Sequence, residues 1–223
     1  MSIFIALFIA TPAYASCVSL LIGKVSHGTA QLLVRIQEAT QDKSSTSWLL
    51  QHKYGVNKSI AHWIEERDQS LKEYRWRRKG QDPKVKVTFA GEEYQILAQL
   101  GHGYEGDVYL IDFDNRLAVL KEFKAGPGAE NQVQVMSEIR KHGILVPEVL
   151  GVEENQLLLE YTEGYPMDQV IDRYVSLTTP GVVDEYFQTE EKWRALKIFG
   201  FSPKPSNVIF SLKLNQFVVI DVF

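Results

Sequence analysis

Cysteine is nearly absent from this chain, Cys17 being the single one. One thiol builds neither a disulfide framework nor a cysteine-based zinc site. Histidine is sparse too, and none of the five stands at a metal-ligand spacing such as His-x-x-x-His. Any metal is therefore expected to arrive with a bound ligand. Basic residues do not predominate: 24 Lys and Arg against 28 Asp and Glu leave a net charge of −4. That balance gives no general attraction to nucleic acid or to an anionic membrane surface. Long apolar runs are missing as well. Ile3–Ala10 is too short to span a bilayer, so no transmembrane helix is expected. No internal repeat or low-complexity segment is visible. What remains, 45% hydrophobic and 23% charged residues over 223 positions, fits an ordinary globular chain of one full domain or two small ones.

Pro12 breaks the first apolar run, and Ala13-Tyr14-Ala15 has the small-x-small form of a secretory cleavage site. No Lys or Arg precedes the run, which leaves a buried N-terminal strand or helix as the alternative. We read residues 1–15 as a signal peptide, which makes the protein exported, periplasmic or secreted; uncleaved, it stays cytoplasmic. Tyr14-Ala15-Ser16-Cys17 fits a lipoprotein cleavage box poorly, because Tyr stands where an aliphatic residue is wanted.

Residues 16–83 form an N-terminal extension of unassigned role. Val18–Val25 and Leu32–Ile36 suit a β-hairpin, or the second half is helical, and Asp42–Ser47 is a polar loop. Ile60, Trp63, Ile64, Leu71 and Tyr74 fall mostly on one face of a helix running to about Arg78, stopped by Gly80 and Pro83. Its end, Arg75-Trp76-Arg77-Arg78-Lys79, can grip phosphate or an acidic partner. In an acidic chain the favoured reading is the solvated, dipole-matched end of a helix.

The stretch around which the rest is organised is Leu100-Gly101-His102-Gly103-Tyr104-Glu105-Gly106-Asp107-Val108. A glycine triplet at this spacing also opens dinucleotide-binding folds, where a helix follows it. Here the β-branched and aromatic run Val108–Phe113 follows, so the triplet lies in a hairpin turn between two strands. Asp112, Asp114 and Asn115 mark the next turn, and Leu117–Phe123 is a third strand carrying Lys121 in Ala118-Val119-Leu120-Lys121. Upstream, Lys84–Phe89 alternates as a strand leading into Tyr94–Leu100. Downstream come a helix ending near Lys141, the strand Leu157–Glu160, a helix over Asp184–Ile198 and the strand Phe217–Asp221.

A glycine turn, a valine two residues on and a lysine on the next strand resemble the part of protein kinases that covers the phosphates of ATP. The resemblance covers residues 84–223, with an N-lobe at about 84–162 and a reduced C-lobe over 163–223. It implies an α+β fold: an antiparallel sheet plus one helix, preceded by the N-terminal extension. By this resemblance Gly101, Gly103, Gly106, Val108, Ala118 and Lys121 face ATP. Gln132 takes the helix position where the family has a glutamate that orients the lysine; Glu130 and Glu138 are out of register. Leu157-Leu158-Leu159-Glu160-Tyr161-Thr162-Glu163-Gly164 is similar to the strand and hinge that meet adenine. Leu159 is then the gatekeeper, with the backbone of Glu160 and Thr162 at the adenine edge.

Lys204-Pro205-Ser206-Asn207-Val208 is similar to the kinase catalytic loop. The family begins that loop His-Arg-Asp, its aspartate accepting the proton of the substrate hydroxyl. Here Gly200, Phe201 and Ser202 stand in those places, and no carboxylate in the loop replaces the base. Lys204 keeps the position that steadies the transferred phosphoryl group. Asn207 and Asp221 keep the two Mg²⁺-ligand positions. Val222 and Phe223 replace the Phe-Gly that follows the second of these.

The resemblance implies ATP and Mg²⁺ as cofactors and a protein substrate or protein partner, with no nucleic acid. Three functions follow. One is a weak or atypical phosphotransferase acting on protein Ser/Thr, with Lys121, Lys204 and Ser202 at the reacting centre. Another is a pseudokinase that works by binding a partner, and the third is an incomplete relic. Positioning and charge neutralisation carry most of phosphoryl transfer, so loss of the base does not by itself abolish turnover.

Overall fold

Two-residue turns with left-handed backbone define the first half of the fold. Ala90 and Gly91 (φ 52° and 82°), then Asp114 and Asn115 (φ 52° and 60°), sit at hairpin tips. Paired positive φ values match the twist of the strands they join. The computed structural model describes residues 45–222 except 81, 125–127 and 174–180. The leader-like residues 1–15 and the candidate hairpin over 18–36 lie outside the described residues.

Strands β1 (Lys86–Phe89), β2 (Glu92–His102), β3 (Gly106–Phe113) and β4 (Arg116–Phe123) run as consecutive antiparallel hairpins. Helix α3 (Gly128–Lys141) follows β4, and the chain then returns as β5 (Val149–Glu153) and β6 (Gln156–Glu160). Strand β6 pairs with β4, giving a six-stranded sheet in the order β1-β2-β3-β4-β6-β5. A three-stranded sheet of β7 (Tyr165–Pro166), β8 (Val208–Ser211) and β9 (Gln216–Val219) completes the chain. With it come helices α4 (Met167–Arg173) and α5 (Val182–Ala195) and a 3₁₀ turn at Pro205–Asn207. The architecture is α+β.

One apolar cluster ties these parts together. Met136 and Ile139 of α3 and Leu157 and Leu159 of β6 share a core with Met167, Tyr186, Phe210, Phe217 and Val219. The Tyr186 hydroxyl, buried in it, donates to the Pro203 carbonyl at 2.8 Å. Gly164 leads the chain into β7 beside β8, where a Cβ would stand 2.5 Å from the Phe210 carbonyl oxygen. Only glycine permits that approach.

The residues before β1 form two helices, α1 (Thr46–Tyr54) and α2 (Lys58–Lys79). Ser45 caps α1 by accepting from the Trp48 N–H at 3.2 Å, and Gly55 ends it in the left-handed conformation. Part of the segment expected to be a loop thus holds a helix start, because its serines supply the cap. Helix α2 lies against the sheet, its Ile60, Ala61 and Ile64 sharing a core with Leu50 of α1, Ala98 of β2 and Leu110 of β3. Leu50, Ile60 and Ile64 are at most 1% exposed, and burying each contributes about 1.5–3 kcal/mol. Tyr74 is the exception on that face, at 48% exposure.

Polar contacts fix the same helix. Asp68, 2% exposed, accepts from the Gln99 N–H at 2.8 Å where β2 shifts register, and from Lys72 at 2.6 Å. Arg75 does not behave as the solvated helix end expected of it. It is buried and pairs with Asp107 at 2.6 Å, beside the glycine-rich hairpin. Trp76 is exposed, and Arg77 pairs with Glu73 in its own helix.

Candidate functional site

Strand alternation aims one face of β2, β3, β4 and β6 at a cavity of about 250 Å³. Leu100, Gly101, Val108 and Val119 form its roof, and Lys121 and Leu159 its inner end. Glu160, Tyr161 and Thr162 follow along the exit from β6. The opposite wall comes from Pro166, Asp168, Gln169, Ser206, Ile209, Ile220 and Asp221. Helix α2 closes one side with Trp63, Ile64 and Arg67.

Lys121 is 7% exposed. Its ammonium donates to Gln132 Oε1 at 3.2 Å and lies 3.0 Å from Asp221 Oδ1. Gln132 sits one turn before Met136 on the core side of α3 and is fully buried. Glu130 is exposed, and Glu138 pairs with Lys141 at 2.7 Å instead. Asp221 also accepts from the Val222 N–H at 2.9 Å, and its side chain keeps 31% exposure. The Asn207 carbonyl accepts the N–H groups of Ile220 and Asp221 at 2.8 and 3.3 Å, which sets Asn207 beside the carboxylate-bearing strand end.

The glycine-rich turn is closed by the Gly103 N–H donating to the Gly106 carbonyl at 2.9 Å, while Lys124 reaches the Gly103 carbonyl. A Cβ on Gly106 would stand 2.0 Å from the Glu122 carbonyl oxygen, so this position admits glycine alone. Gly103 meets no such obstacle. Beside the turn, the Asp107 carboxylate bridges Arg75 and His102 Nδ1, the latter at 2.5 Å. Burial pushes the Asp107 carboxyl up, but the hydrogen bonds from His102 and Arg75 outweigh it and hold the group below its ordinary range. Burial, with Glu163 nearby, drives the Tyr161 hydroxyl well above the usual tyrosine range, so this group stays neutral and serves as no base near neutral pH.

The expected site residues divide accordingly. Gly101, Val108, Lys121, Leu159, Glu160, Thr162 and Asp221 line the cavity, with Gln132 touching Lys121 from behind and Asn207 adjoining Asp221. Gly103 and Gly106 shape the hairpin without lining it. Ala118 does not belong to the site. It is two-faced alternation that excludes it: Ala118 packs with Ile111, Leu120 and Leu158 on the other side of the sheet, and Val119, two residues from Lys121, takes the cavity position. Lys204 is exposed and also outside the cavity wall. Ser202 acts in the loop scaffold, its N–H donating to the Val222 carbonyl at 2.7 Å and its carbonyl accepting from Asn207 Nδ2 at 3.1 Å.

Ile209, two residues past Asn207, and Ile220, just before Asp221, were findable from their neighbours. Trp63, Ile64 and Arg67 had no local signal, because a helix's apolar stripe does not name the surface it meets. Among the described residues no group of three or more His, Cys, Asp or Glu could hold a metal. No described helix is long and apolar enough to cross a membrane.

No family model matches this chain, and no curated protein matches it. Among solved structures, the PknI kinase domain of Mycobacterium tuberculosis is similar at TM-score 0.39 and 18% identity, covering 63% of this chain and 62% of that one. A cysteine-to-alanine mutant of that domain gives 0.39 and 19%, covering 64% and 63%. A double mutant gives 0.40 and 18%, covering 63% of each chain. The chain thus spans less than two thirds of the length of these domains, and a likeness of this degree says nothing about activity. Five antiparallel strands with α3 inserted between β4 and β5, a glycine-rich hairpin and a strand lysine meeting that helix make the fold protein-kinase-like.

Proposed function

We propose that this chain is an ATP- and Mg²⁺-binding protein of protein-kinase type, a weak or atypical phosphotransferase toward protein Ser/Thr. In that reading β1–β6 and α3 are the N-lobe, the elements from β7 to β9 are a reduced C-lobe, and α1 and α2 belong to the N-terminal extension. The observation that carries it is the buried Lys121 ammonium, held between Gln132 and Asp221 at the inner end of a cavity beneath a glycine-rich hairpin. A buried ammonium is tolerated only when paired and hydrogen-bonded, and such a group facing a cleft marks a candidate ligand site. Here it points where the phosphates of a nucleotide under that hairpin would lie. The cavity's inner part is apolar, with Leu159, Val108, Val119 and Ile209, which suits a purine base. The Thr162 N–H makes no hydrogen bond among the described residues and supplies a donor for the base edge.

The residues present fit Mg²⁺ in the manner usual for nucleotide sites. Asn207 and Asp221 offer hard oxygen donors from two adjoining backbone segments, and phosphate and water would supply the rest. Bound there, the metal would neutralise phosphate charge. This chain's own residues would hold the base, orient the phosphates through Lys121 and exclude water with the hairpin. With Ser202 where a carboxylate base would stand, the receiving hydroxyl gets no general-base help, typically about 10²–10⁴-fold. The same serine favours a second reading: a pseudokinase that binds nucleotide and acts through a protein partner. On the strength of residues 1–15 we also place the protein outside the cytoplasm, which N-terminal sequencing of the natural product would check.

A thermal-shift titration tests the nucleotide site. Wild type should rise in melting temperature with ATP only when Mg²⁺ is present, and Lys121→Ala and Asp221→Ala should lose the rise. A folded wild type that shows no shift removes the phosphotransferase reading.

A further inference from the structure

The N-terminal helix α2 is too firmly built in to be a loose cover. Ile60, Ala61 and Ile64 are buried against the sheet, Asp68 takes up a backbone N–H of β2, and Arg75 pairs with Asp107 of β3. A ligand entering the cavity meets this helix as a standing wall. That wall offers two ligand-sized chemical groups, the half-buried indole of Trp63 and the guanidinium of Arg67.

Arg67 is anchored through Nε, which donates to the Leu100 carbonyl at 3.2 Å, one residue before Gly101. Its other guanidinium N–H groups have no partner among the described residues, and it pairs with no carboxylate among them. The charged groups lining the cavity are Lys121 and Arg67 against Glu160, Asp168 and Asp221. Lys121 already faces Asp221 at 3.0 Å. Arg67, by contrast, meets no carboxylate among the described residues and is held at the root of the glycine-rich hairpin.

We infer that α2 is a permanent part of the ligand site, with Arg67 binding the phosphates of a phosphorylated nucleoside and Trp63 lying against its base or ribose. This deepens the reading of the cavity as a nucleotide site and rests on it. A guanidinium with two edges open suits phosphate oxygens, which it can grip in a forked pair of hydrogen bonds. The N-terminal extension is then a working part of the site.

The test is calorimetric titration of the full chain, as wild type, Arg67→Ala, Arg67→Lys and Lys121→Ala, with Mg-ATP and separately with adenosine. Arg67 is exposed, so its variants should melt as wild type does. Arg67→Ala should bind Mg-ATP about tenfold to a hundredfold more weakly while binding adenosine unchanged, and Arg67→Lys should recover part of the loss. Tryptophan fluorescence reads the other contact. Quenching by Mg-ATP should fall sharply in Trp63→Phe, although three of the four tryptophans remain. If wild type binds and Lys121→Ala does not, while Arg67→Ala equals wild type, the nucleotide reading stands and this inference falls. Quenching undiminished in Trp63→Phe removes Trp63 from the site. A folded wild type that binds neither ligand overturns both.

Discussion

Lys121→Met separates what this lysine does for the fold from what it does for a ligand. The ammonium is 7% exposed and touches Gln132 Oε1 at 3.2 Å and Asp221 Oδ1 at 3.0 Å. Methionine is unbranched and flexible enough to fill the space. It also removes the cost of keeping a cation out of water, which amounts to several kcal/mol even after relaxation. Two losses oppose that gain. Gln132 Oε1 is left without its donor in a fully buried place, at about 1–3 kcal/mol. Asp221 loses its partner, but with 31% of its side chain exposed it is rehydrated. The opposing terms nearly cancel, leaving a net change within about 2 kcal/mol of zero.

For a chain of this size 1 kcal/mol moves Tm by roughly 2–4 °C, so Lys121→Met should melt within about 8 °C of wild type. Adding Gln132→Leu removes the orphaned carbonyl and should bring Tm up from the single variant. Both should lose ATP, since one hydrogen bond to a charged group is worth about 1.5–3 kcal/mol, or more than tenfold in affinity. Scanning calorimetry with and without Mg-ATP reads both effects. A double variant melting well below the single one, or either variant keeping its ATP shift, would refute the account of Lys121 as a residue kept for its ligand.

Three further outcomes can be checked. Gly106→Ala should cost about 1–3 kcal/mol or more in urea unfolding, because its methyl meets the Glu122 carbonyl. Gly103→Ala, with nothing within 4 Å, should stay within about 0.5 kcal/mol, and equal costs would show that the hairpin is not built as described. Asp107 titrates below its ordinary 3.8, so its contribution to stability is complete above that value and vanishes as pH falls through the lower folded value. Wild type and Asp107→Asn should differ in Tm near neutral pH and converge in acid; a gap that persists unchanged to about pH 2 contradicts this. Ser202→Asp returns a carboxylate to the loop and should raise labelled-phosphate transfer to protein substrates by about 10²–10⁴-fold. No rise in a variant that still binds ATP favours the partner-binding reading.

The parts of the fold that depend on neighbours in sequence were legible before the structure. The hairpin marked by Asp114-Asn115, the glycine-rich turn before Val108 and the helix ending at Lys141 follow from turn chemistry and apolar period. Gln132 was placed toward Lys121 by the family resemblance, and the structure joins the two at 3.2 Å. The slip from Val119 to Ala118 was avoidable, since residues two apart share a strand face. Helix α1 was missed although Ser45 carries a capping signal. The partners of α2 could not be read at all. Its stripe of Ile60 and Ile64 says that something covers it, while Asp68 meeting Gln99, 31 positions on, is decided only by the assembled core.

That assembly has an order in time. Synthesis delivers α1 and α2 before any strand that covers them. Ile60 and Ile64 wait for Leu110, Arg75 waits for Asp107, and the Asn57 N–H meets the Glu163 carboxylate, at 2.6 Å, across 106 positions of chain. Contacts so distant close slowly, and until they do the apolar side of α2 is bare. The nascent chain thus carries a sticky helix for as long as β2 and β3 are unmade, which is where a chaperone would take hold. A chain bound for translocation would stay open for the same reason.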